Sequence, residues 1–150
     1  MNYDALKLKN QLCFPLYAVS KEVTRLYKPF LDPLGLTYTQ YITMMALWES
    51  DGINVKSLGE RLYLDSGTLT PLLKKLESHG LINRTRSKDN ERNVFITLTD
   101  KGWALRDEAI KVPEQLIQCL HVDPEDAHVL YKVLNKILDE GITAPKEKKV

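Results

Sequence analysis

The chain changes its hydrophobic period once between Val55 and Thr99, and this change constrains the fold more than any other feature. Before Gly80, apolar residues recur every three or four positions, which predicts two short amphipathic helices, one over about 55–62 and one from about Ser66. After that glycine, apolar and polar residues alternate in two segments joined by a charged loop, which predicts an antiparallel hairpin. Two short helices followed by a hairpin are typical of a winged helix-turn-helix, so we expect a mainly α fold with a small β-hairpin.

The second of these helices has the ends and the face that a recognition helix needs. A cluster of capping and turn residues precedes it at 65–68, and Gly80 is predicted to end it as a C′ residue. Pro71 lies near its start, where the missing N–H costs little. Its apolar stripe consists of four leucines: Leu69, Leu72, Leu73 and Leu76. The polar residues that fall off this stripe are predicted to face outward: Thr68, Thr70, Lys74 and Lys75.

The charges around this helix favour a nucleic-acid partner. Between Ser66 and Arg92 six residues are basic and three are acidic, an excess of three on a chain whose whole net charge is +1. Because the chain is nearly neutral overall, binding to DNA would depend on this local patch. The alternative, that these charges only solvate a surface helix and a loop, stays open at this point.

The polar side chains of this patch have different predicted roles on double-stranded DNA. Hydroxyls near the start of the recognition helix are candidates for base-edge contacts: Ser66, Thr68 and Thr70. Basic residues along the helix and the first strand are candidates for phosphate contacts: Lys74, Lys75, Arg84 and Arg86. Arg92, at the predicted tip of the hairpin, would lie at the backbone or in a narrow minor groove, where A·T-rich geometry attracts arginine.

The composition indicates an ordinary globular chain. Its 150 residues, 43% of them hydrophobic, predict a single domain over 1–150 with a real core. No apolar run approaches the ~20 residues that span a bilayer, and the N-terminus lacks the apolar segment of a secretion signal, so no membrane association is expected. Two widely spaced cysteines argue against a disulfide framework and predict a reducing, cytoplasmic location.

Helical periodicity also flanks the central stretch on both sides. Four more helices are predicted, over about 6–30, 38–49, 103–120 and 124–139. Pro15 and Pro113 are predicted to bend or split the two helices in which they fall. Thr37 and Asp123 are predicted to cap the other two, and Gly141 to end the last one.

The outermost helices carry more amphipathic surface than a small winged domain can cover alone. Packing 6–30 and 103–140 against the same helices of a second copy would bury their apolar stripes and leave 38–99 as the DNA-binding region. A two-fold homodimer would also set two recognition helices about one DNA turn (~34 Å) apart, which matches a pseudo-palindromic operator. The alternative is a monomer whose terminal helices fold back on it.

Cys13 is the side chain best suited to redox chemistry, because tyrosines share its surroundings. Tyr17 lies one turn further along the predicted helix on the same face, whereas Tyr27 is ~21 Å further along a straight helix axis. Tyr27 therefore cannot touch Cys13 of its own chain, but Tyr27 and Tyr38 could reach that thiol across a dimer with crossed first helices. Phenol donors around a sulfur stabilise the thiolate and raise its reactivity. The alternative is that Cys13 is only a small buried hydrophobe, as free cysteines often are.

Three segments together resemble the MarR family of bacterial repressors, and within it the organic-hydroperoxide regulator (OhrR) group with its SarZ- and MgrA-type relatives. The segments are LCFPLYAVSKEVTRLYKPFLDPLGLTYTQY, LYLDSGTLTPLLKKLE and ERNVFITLT. The similarity extends over the chain to about Asp139. It implies a dimeric winged-helix repressor in which Cys13 is the peroxide-reactive thiol, and in which Tyr27 and Tyr38 hydrogen-bond that thiol from the other subunit.

The resemblance also concerns the wing and the second cysteine. Arg92 maps to the wing-tip arginine, but Asn90 replaces the acidic residue that the family has two positions before it, with Asp89 one place earlier. One branch of the group senses with a single cysteine, which a small thiol caps after oxidation. Another branch closes an intersubunit disulfide with a second cysteine near the C-terminal helices, where Cys119 is placed. The alternative for Cys119 is a helix-end cysteine without a redox role.

These observations predict a repressor that senses organic hydroperoxide or oxidative stress through oxidation of Cys13 and then releases its operator. After oxidation, Cys119 or a low-molecular-weight thiol would react with Cys13. Two alternatives stay open: a MarR-type repressor relieved by a small aromatic ligand, with Cys13 inert, and a thiol peroxidase that uses Cys13. The peroxidase is disfavoured because the chain lacks the βαβ order of that class, so we expect no enzyme. No cofactor is expected, and no metal, because the histidines have no ligand spacing with the cysteines.

Overall fold

The computed structural model describes residues 2–87 and 93–140, which form helices and one small sheet. In chain order the elements are α1 (Cys13–Leu26), α2 (Lys28–Leu31), α3 (Tyr38–Glu49), β1 (Ile53–Asn54), α4 (Val55–Leu62), α5 (Ser66–Ser78), β2 (Ile82–Arg86), β3 (Val94–Leu98), α6 (Asp100–Ala109), α7 (Val112–Cys119) and α8 (Pro124–Glu140). Short 3₁₀ turns cover Asp4–Leu6, Leu8–Asn10 and Asp32–Leu34. The predicted class, mainly α with a small antiparallel hairpin, is confirmed.

The central helices begin where their capping residues indicate. α3 starts after Thr37, whose hydroxyl accepts from the Gln40 N–H while the Gln40 side chain accepts from the Thr37 N–H. α4 starts after Asn54, which accepts from the Ser57 N–H at 2.8 Å, and α5 starts after Asp65. Each cap satisfies N–H groups that the start of a helix otherwise leaves without partners. Local chemistry therefore fixes these boundaries.

The hydrophobic core lies between α3, α4, α5, α6 and the sheet. The four leucines of the α5 stripe are buried as predicted: Leu69, Leu72, Leu73 and Leu76. They belong to one cluster with Met44 and Leu47 of α3, Leu58 of α4 and Ile96 of β3, all fully buried. Because this face of α5 is committed to the core, its polar residues are left for the surface.

The hairpin belongs to a three-stranded antiparallel sheet in the order β1–β3–β2. β2 and β3 form the predicted antiparallel hairpin and pair over their whole length, with Ile82 opposite Leu98. β1 pairs with the other side of β3. Its two residues are too few to show a period, so the sequence did not predict it. The predicted hairpin tip at 88–92, with Asn90 and Arg92, lies outside the described residues.

The predicted first helix over 6–30 is wrong in its bounds. α1 begins at Cys13 and ends at Leu26, and Tyr27 separates it from α2. The segment before Cys13 forms two 3₁₀ turns whose residues are all exposed, so no packing supports a longer helix there. Pro15 does not interrupt the helix as predicted, because it is the third residue of α1 and the first turn of a helix needs no N–H from it.

The predicted helix over 103–120 is two helices in the structure. α6 starts three residues earlier, at Asp100, because the Thr99 hydroxyl caps it by accepting from the Gly102 N–H at 3.0 Å. A short break follows α6, and Pro113 is the second residue of α7. The predicted split at this proline is therefore confirmed, since proline suits the first turn of a new helix.

The chain divides into two compact units, 1–116 and 117–150. The first unit contains the core cluster and the sheet. In the second unit, α8 follows the predicted bounds to within one residue and buries none of its side chains. Gly141, its predicted end, lies outside the described residues.

Two assignments stay predictions: that 38–99 binds DNA, and that 6–30 and 103–140 form the dimer. No helix in the described part of the chain is both long enough and apolar enough to cross a bilayer.

Candidate functional site

The start of α5 is fixed by a carboxylate that accepts two hydrogen bonds from one residue. Asp65 Oδ1 accepts from the Thr68 N–H and Asp65 Oδ2 accepts from the Thr68 hydroxyl, each at 2.9 Å. The bond from the Thr68 N–H, followed by the bond from its hydroxyl, holds the pKa of Asp65 below its ordinary value. The Thr68 hydroxyl, a predicted base-edge donor, is therefore engaged in the helix cap in the free chain.

The exposed surface of α5 carries most of the predicted DNA contacts. Ser66 and Thr68 are exposed at its first turn, and Lys74 and Lys75 are exposed further along. Thr70 is half-buried, so its hydroxyl is the least accessible of the three predicted base-edge groups. The structure thus brings hydroxyls and ammonium groups together on one exposed helix, which can offer hydrogen bonds to base edges and positive charge to phosphates.

The two arginines of β2 differ in their surroundings. Arg84 keeps 23% of its side chain exposed, and its Nη1 lies 3.6 Å from Oε2 of Glu77 near the end of α5. Its Nε is buried and has no hydrogen-bond partner among the described residues. Arg86 is exposed. In the free chain Arg84 therefore faces the recognition helix, and Arg86 is the better placed of the two for a phosphate.

Cys13 is an exposed free thiol at the first residue of α1. α1 buries none of its residues, although its exposed side chains include Leu16, Val19 and Leu26. Tyr17, one turn after Cys13, is exposed as well. Within one chain, Cys13 is therefore not the small buried hydrophobe that a free cysteine often is.

Tyr27 and Tyr38 form an aromatic cluster with a third tyrosine. The Tyr27 ring lies 4.8 Å from the Tyr38 ring and 5.8 Å from the Tyr41 ring, measured between centroids. Burial, followed by the neighbouring phenols, raises the pKa of Tyr27 to about 12. Tyr27 therefore keeps its phenol proton at neutral pH and is available as a hydrogen-bond donor.

Tyr41, which is buried on α3, is a member of this cluster that the sequence did not predict. Its spacing was the available signal, because residues three apart on a helix share a face and Tyr38 precedes it by three. Cys13 is the first residue of α1 and Tyr27 follows its last residue, about 21 Å further along the axis, so one chain does not bring them together.

Cys119 is an exposed free thiol at the last residue of α7. It belongs to the unit 117–150, whereas Cys13 belongs to the unit 1–116. Its predicted role as the partner of Cys13 in a disulfide stays a prediction.

A groove of 340 Å³ lies between α2 and the segment around α7, inside the first unit. Phe30, Leu34 and Val112 give it apolar walls, while Lys111 contributes a positive charge and Glu108 a negative one. In residues 2–87 and 93–140, no three His, Cys, Asp or Glu side chains converge into a group that could hold a metal ion.

Comparison with known proteins extends these observations. Residues 25–109 match the family model described as transcriptional regulator SarA/Rot. The chain is 47% identical to the organic hydroperoxide resistance transcriptional regulator of Bacillus subtilis, over 91% of this chain and 93% of that protein. It is 43% identical to the HTH-type transcriptional regulator SarZ of Staphylococcus haemolyticus, over 89% of this chain and 91% of that protein. The structure of reduced AbfR bound to DNA has 34% sequence identity and superposes with a TM-score of 0.75, over 91% of this chain and 95% of that chain.

The family match covers more than half of the chain, and both relatives are aligned over nearly their whole length. The fold and the relatives are those of DNA-binding regulators and not of enzymes. The chain belongs to the SarA/Rot family of MarR-like winged-helix transcriptional regulators, within the group that holds the organic-hydroperoxide regulators and SarZ.

Proposed function

We propose that this protein is a repressor that senses organic hydroperoxide through Cys13 and releases its operator when Cys13 is oxidised. The observation that carries the proposal is an exposed thiol at the start of α1, a helix that buries nothing within one chain. A reactive thiol on a helix whose apolar side chains are exposed is well placed at a subunit interface, because oxidation of the thiol would change how the two subunits pack. Two comparisons support the same function: one relative is named for hydroperoxide resistance, and AbfR was solved in its reduced state on DNA.

The repressor would act as a homodimer on a pseudo-palindromic duplex. α1 exposes Leu16 and Val19, and α8 exposes Leu130 and Leu134, so each helix presents an apolar surface that its own unit leaves in water. Contiguous exposed apolar surface of this kind marks an interface. A two-fold axis would place two copies of α5 about one DNA turn (~34 Å) apart, in register with two half-sites.

The tyrosines would tune the sensing thiol across this interface. Tyr27 and Tyr38 of one subunit would donate hydrogen bonds to Cys13 of the other, and Tyr17 would contribute from the same helix as the thiol. A donor must keep its proton, and the raised pKa of Tyr27, about 12, meets that condition at neutral pH. Hydrogen bonds to a thiolate favour the charged form, which is the nucleophile.

The sensing reaction is a two-electron oxidation of sulfur. The Cys13 thiolate attacks one oxygen of the hydroperoxide, the O–O bond breaks, and the alkoxide leaves and takes a proton from water as the alcohol. Cys13 becomes a sulfenic acid. The thiol of Cys119 or of a small molecule then attacks that sulfur, a disulfide forms and water leaves. Either product is bulkier than a thiol and changes the packing of α1.

The change in packing would reach DNA through the spacing of the two recognition helices. Ser66, Thr68 and Thr70 would meet base edges, while Lys74, Lys75 and Arg86 would meet phosphates, with Arg92 at the wing tip. A loss of ~2–3 kcal/mol of binding free energy lowers the affinity for the operator by roughly 30- to 150-fold. Oxidation of a single thiol can therefore switch the operator from occupied to free.

The proposal is tested on an operator recovered by in vitro selection from randomised duplexes. Fluorescence anisotropy would compare reduced protein with protein treated with cumene hydroperoxide. We expect the wild type to lose affinity on oxidation and to regain it with a thiol reductant. Cys13→Ser should bind the operator but ignore the oxidant, and Tyr27→Phe should react more slowly with it.

Cys119→Ser separates the two routes that follow sulfenic acid formation. If Cys119 closes the disulfide, this variant should respond to the hydroperoxide only when a small thiol is added. Release of the operator from Cys13→Ser, as readily as from the wild type, would contradict the proposed sensing role of this thiol.

A second candidate function rests on the 340 Å³ groove lined by Phe30, Val112 and Lys111. Apolar walls with one ammonium group, Lys111, and one carboxylate, Glu108, suit a small aromatic ligand that carries both an acidic group and a hydrogen-bond donor. In this version such a ligand, and not an oxidant, relieves repression. Release of the operator from Cys13→Ser by salicylate, together with no response of the wild type to hydroperoxide, would favour it.

A further inference from the structure

Three helical segments of this chain end in the same backbone motif. In each, an N–H five residues ahead bonds back to a carbonyl: Leu36 to Leu31, Leu64 to Gly59 and Leu81 to Leu76, at 2.9–3.2 Å. This bond is the mark of a Schellman cap, in which the C′ residue adopts a left-handed conformation. The C′ residues are Gly35, Tyr63 and Gly80, with φ of +66°, +54° and +71°.

Tyr63 is the exception among these caps. Glycine takes a positive φ without steric strain, whereas a side chain with a Cβ does not. Over residues 2–87 and 93–140, Tyr63 is the only residue other than glycine that has a positive φ. Two of the three caps therefore have glycine at C′, which suits the left-handed conformation, and the third has a tyrosine.

The fold gains little from this tyrosine. The side chain is 70% exposed, and within the described residues its phenol hydroxyl makes no hydrogen bond. A Cβ at Gly35 or at Gly80 would meet no atom within 4 Å, so these caps have open space around the C′ position. A bulky residue that adopts an unfavourable backbone conformation and is largely exposed points to a role outside the folded chain.

The location of Tyr63 indicates what it would touch. It forms the turn between α4 and α5, three residues before the exposed Ser66. In a helix-turn-helix the first helix crosses the DNA backbone and the start of the second enters the major groove, so the turn between them lies close to phosphates. An open groove beside the turn is lined by Tyr63, Lys56 and Ser66, which supply a phenol, an ammonium group and a hydroxyl, and also by the carboxylates of Glu60 and Asp65. Both carboxylates have partners within the chain: Glu60 lies 3.9 Å from the Lys56 ammonium group, and Asp65 accepts two hydrogen bonds from Thr68.

We propose that Tyr63 is a DNA-contacting residue whose phenol hydroxyl donates a hydrogen bond to a backbone phosphate. The left-handed φ of Tyr63 leaves the ring exposed at the turn, and the backbone pays for this position in steric strain. This inference rests on the proposed DNA-binding function and adds to it a contact that does not come from the recognition helix. Because phosphate contacts carry no base information, the contact is independent of DNA sequence.

The test uses a fluorescein-labelled duplex of mixed sequence, about 30 base pairs or three helical turns long. Its dissociation constant is measured between about 50 and 200 mM salt for the wild type, Tyr63→Phe, Tyr63→Gly and the control Tyr131→Phe. Tyr131 is a matched control, because it lies on α8 and is 69% exposed. Thermal unfolding of each protein is recorded in parallel.

The proposal predicts opposite effects on binding and on folding. Tyr63→Phe should bind the duplex about three- to tenfold more weakly, since one hydrogen bond per subunit is lost. Its salt dependence should stay that of the wild type, because a neutral phenol displaces no counterion. Tyr63→Gly should bind at least as weakly as Tyr63→Phe, and yet unfold at the wild-type temperature or above it. Tyr131→Phe should match the wild type in both measurements.

Two results overturn the inference while leaving the proposed function intact. One is a Tyr63→Phe protein that binds the duplex as tightly as the wild type. The other is a Tyr63→Gly protein that unfolds several degrees below the wild type, which would make the ring a packing element. A wild type that fails to bind any duplex would instead defeat the proposed function itself, and the role of Tyr63 with it.

Discussion

Arg84 illustrates how burial changes the role of a single charged residue. The sequence groups it with the lysines as a phosphate contact, since all of them lie in one basic stretch. In the structure its Nη1 lies 3.6 Å from the Glu77 carboxylate and its Nε is buried without a partner. A guanidinium held between β2 and α5 is better suited to fixing the wing against the recognition helix than to reaching DNA.

This position leads to a prediction whose sign is unusual. Removing an acidic residue from a DNA-binding helix ordinarily strengthens binding, because repulsion of phosphates is lost. We expect Glu77→Gln to weaken operator binding, because the guanidinium of Arg84 loses its partner and the wing is no longer held. The expected loss is about 1 kcal/mol, roughly fivefold, for a partly exposed pair. Titration of the selected operator by anisotropy measures it.

The salt dependence of binding separates positioning from phosphate contact. Lys74→Ala should lower the slope of log K against log salt by about 0.9 for each subunit, while Arg84→Met should weaken binding and leave the slope unchanged. If the slope of log K against log salt falls equally in both variants, Arg84 contacts a phosphate as Lys74 does. Tighter binding by Glu77→Gln would show that the ion pair has no positioning role.

At the level of elements, the helix starts are the part of the fold that the sequence predicts best. The starts of α3 and α5 follow from Thr37 and Asp65, because a cap depends on residues that are neighbours in the chain. The start of α1 at Cys13 was missed, because its apolar stripe continues into a segment that nothing packs against. Periodicity reports that a segment could be helical, and only packing decides how far the helix extends.

The candidate site divides in the same way. The outward face of α5 was predictable, because four leucines at helical spacing commit the other face to the core. The sequence indicated capping residues at 65–68 but not the hydrogen bond from the Thr68 hydroxyl to Asp65. It gave no indication that Arg84 pairs with Glu77. That pair joins a strand to a helix across the loop between them, and no local pattern encodes such a contact.

The cap of α5 gives a pH dependence whose direction is set by Asp65. Hydrogen bonds from Thr68 lower the pKa of Asp65 in the folded state. Its contribution to stability is therefore complete above the unfolded-state pKa of about 3.9 and is lost as the pH falls through the lower, folded-state pKa. We expect the unfolding temperature of the wild type to fall more steeply between about pH 5 and 2 than that of Asp65→Asn, which keeps a capping oxygen but cannot titrate.

Thermal unfolding followed by circular dichroism across this pH range measures the difference. All other carboxyl groups are common to the two proteins, so their titration cancels in the comparison. Parallel curves for the wild type and Asp65→Asn would mean that the cap bonds do not depend on the charge of Asp65.

For the whole molecule, the exposed apolar surface of α1 and α8 is the feature that a single chain leaves unexplained. α1 buries no residue, and its stripe includes Val19, which is 54% exposed. Side chains of this kind contribute to stability only when a partner removes them from water, at about 25 cal/mol per Å² of apolar surface. The predicted dimer is the arrangement in which the same helices provide that partner for each other.

Val19→Glu tests this arrangement, because it places a charge on the apolar stripe of α1. If the stripe is the dimer interface, sedimentation equilibrium should show a dimer for the wild type and a monomer for Val19→Glu. Affinity for the selected operator should fall by orders of magnitude, since a monomer holds one half-site and loses the effective concentration of the second recognition helix.

Lys21→Glu is the matched control, because Lys21 is exposed on the opposite side of the same helix and its replacement changes the net charge by two units where Val19→Glu changes it by one. Lys21→Glu should remain dimeric, which separates loss of apolar contact from electrostatic repulsion. If Val19→Glu still sediments as a dimer and binds its operator with wild-type affinity, the dimer interface does not include the apolar stripe of α1. Cys13 would then lie outside the subunit interface, and oxidation of its thiol would have no route to the spacing of the recognition helices.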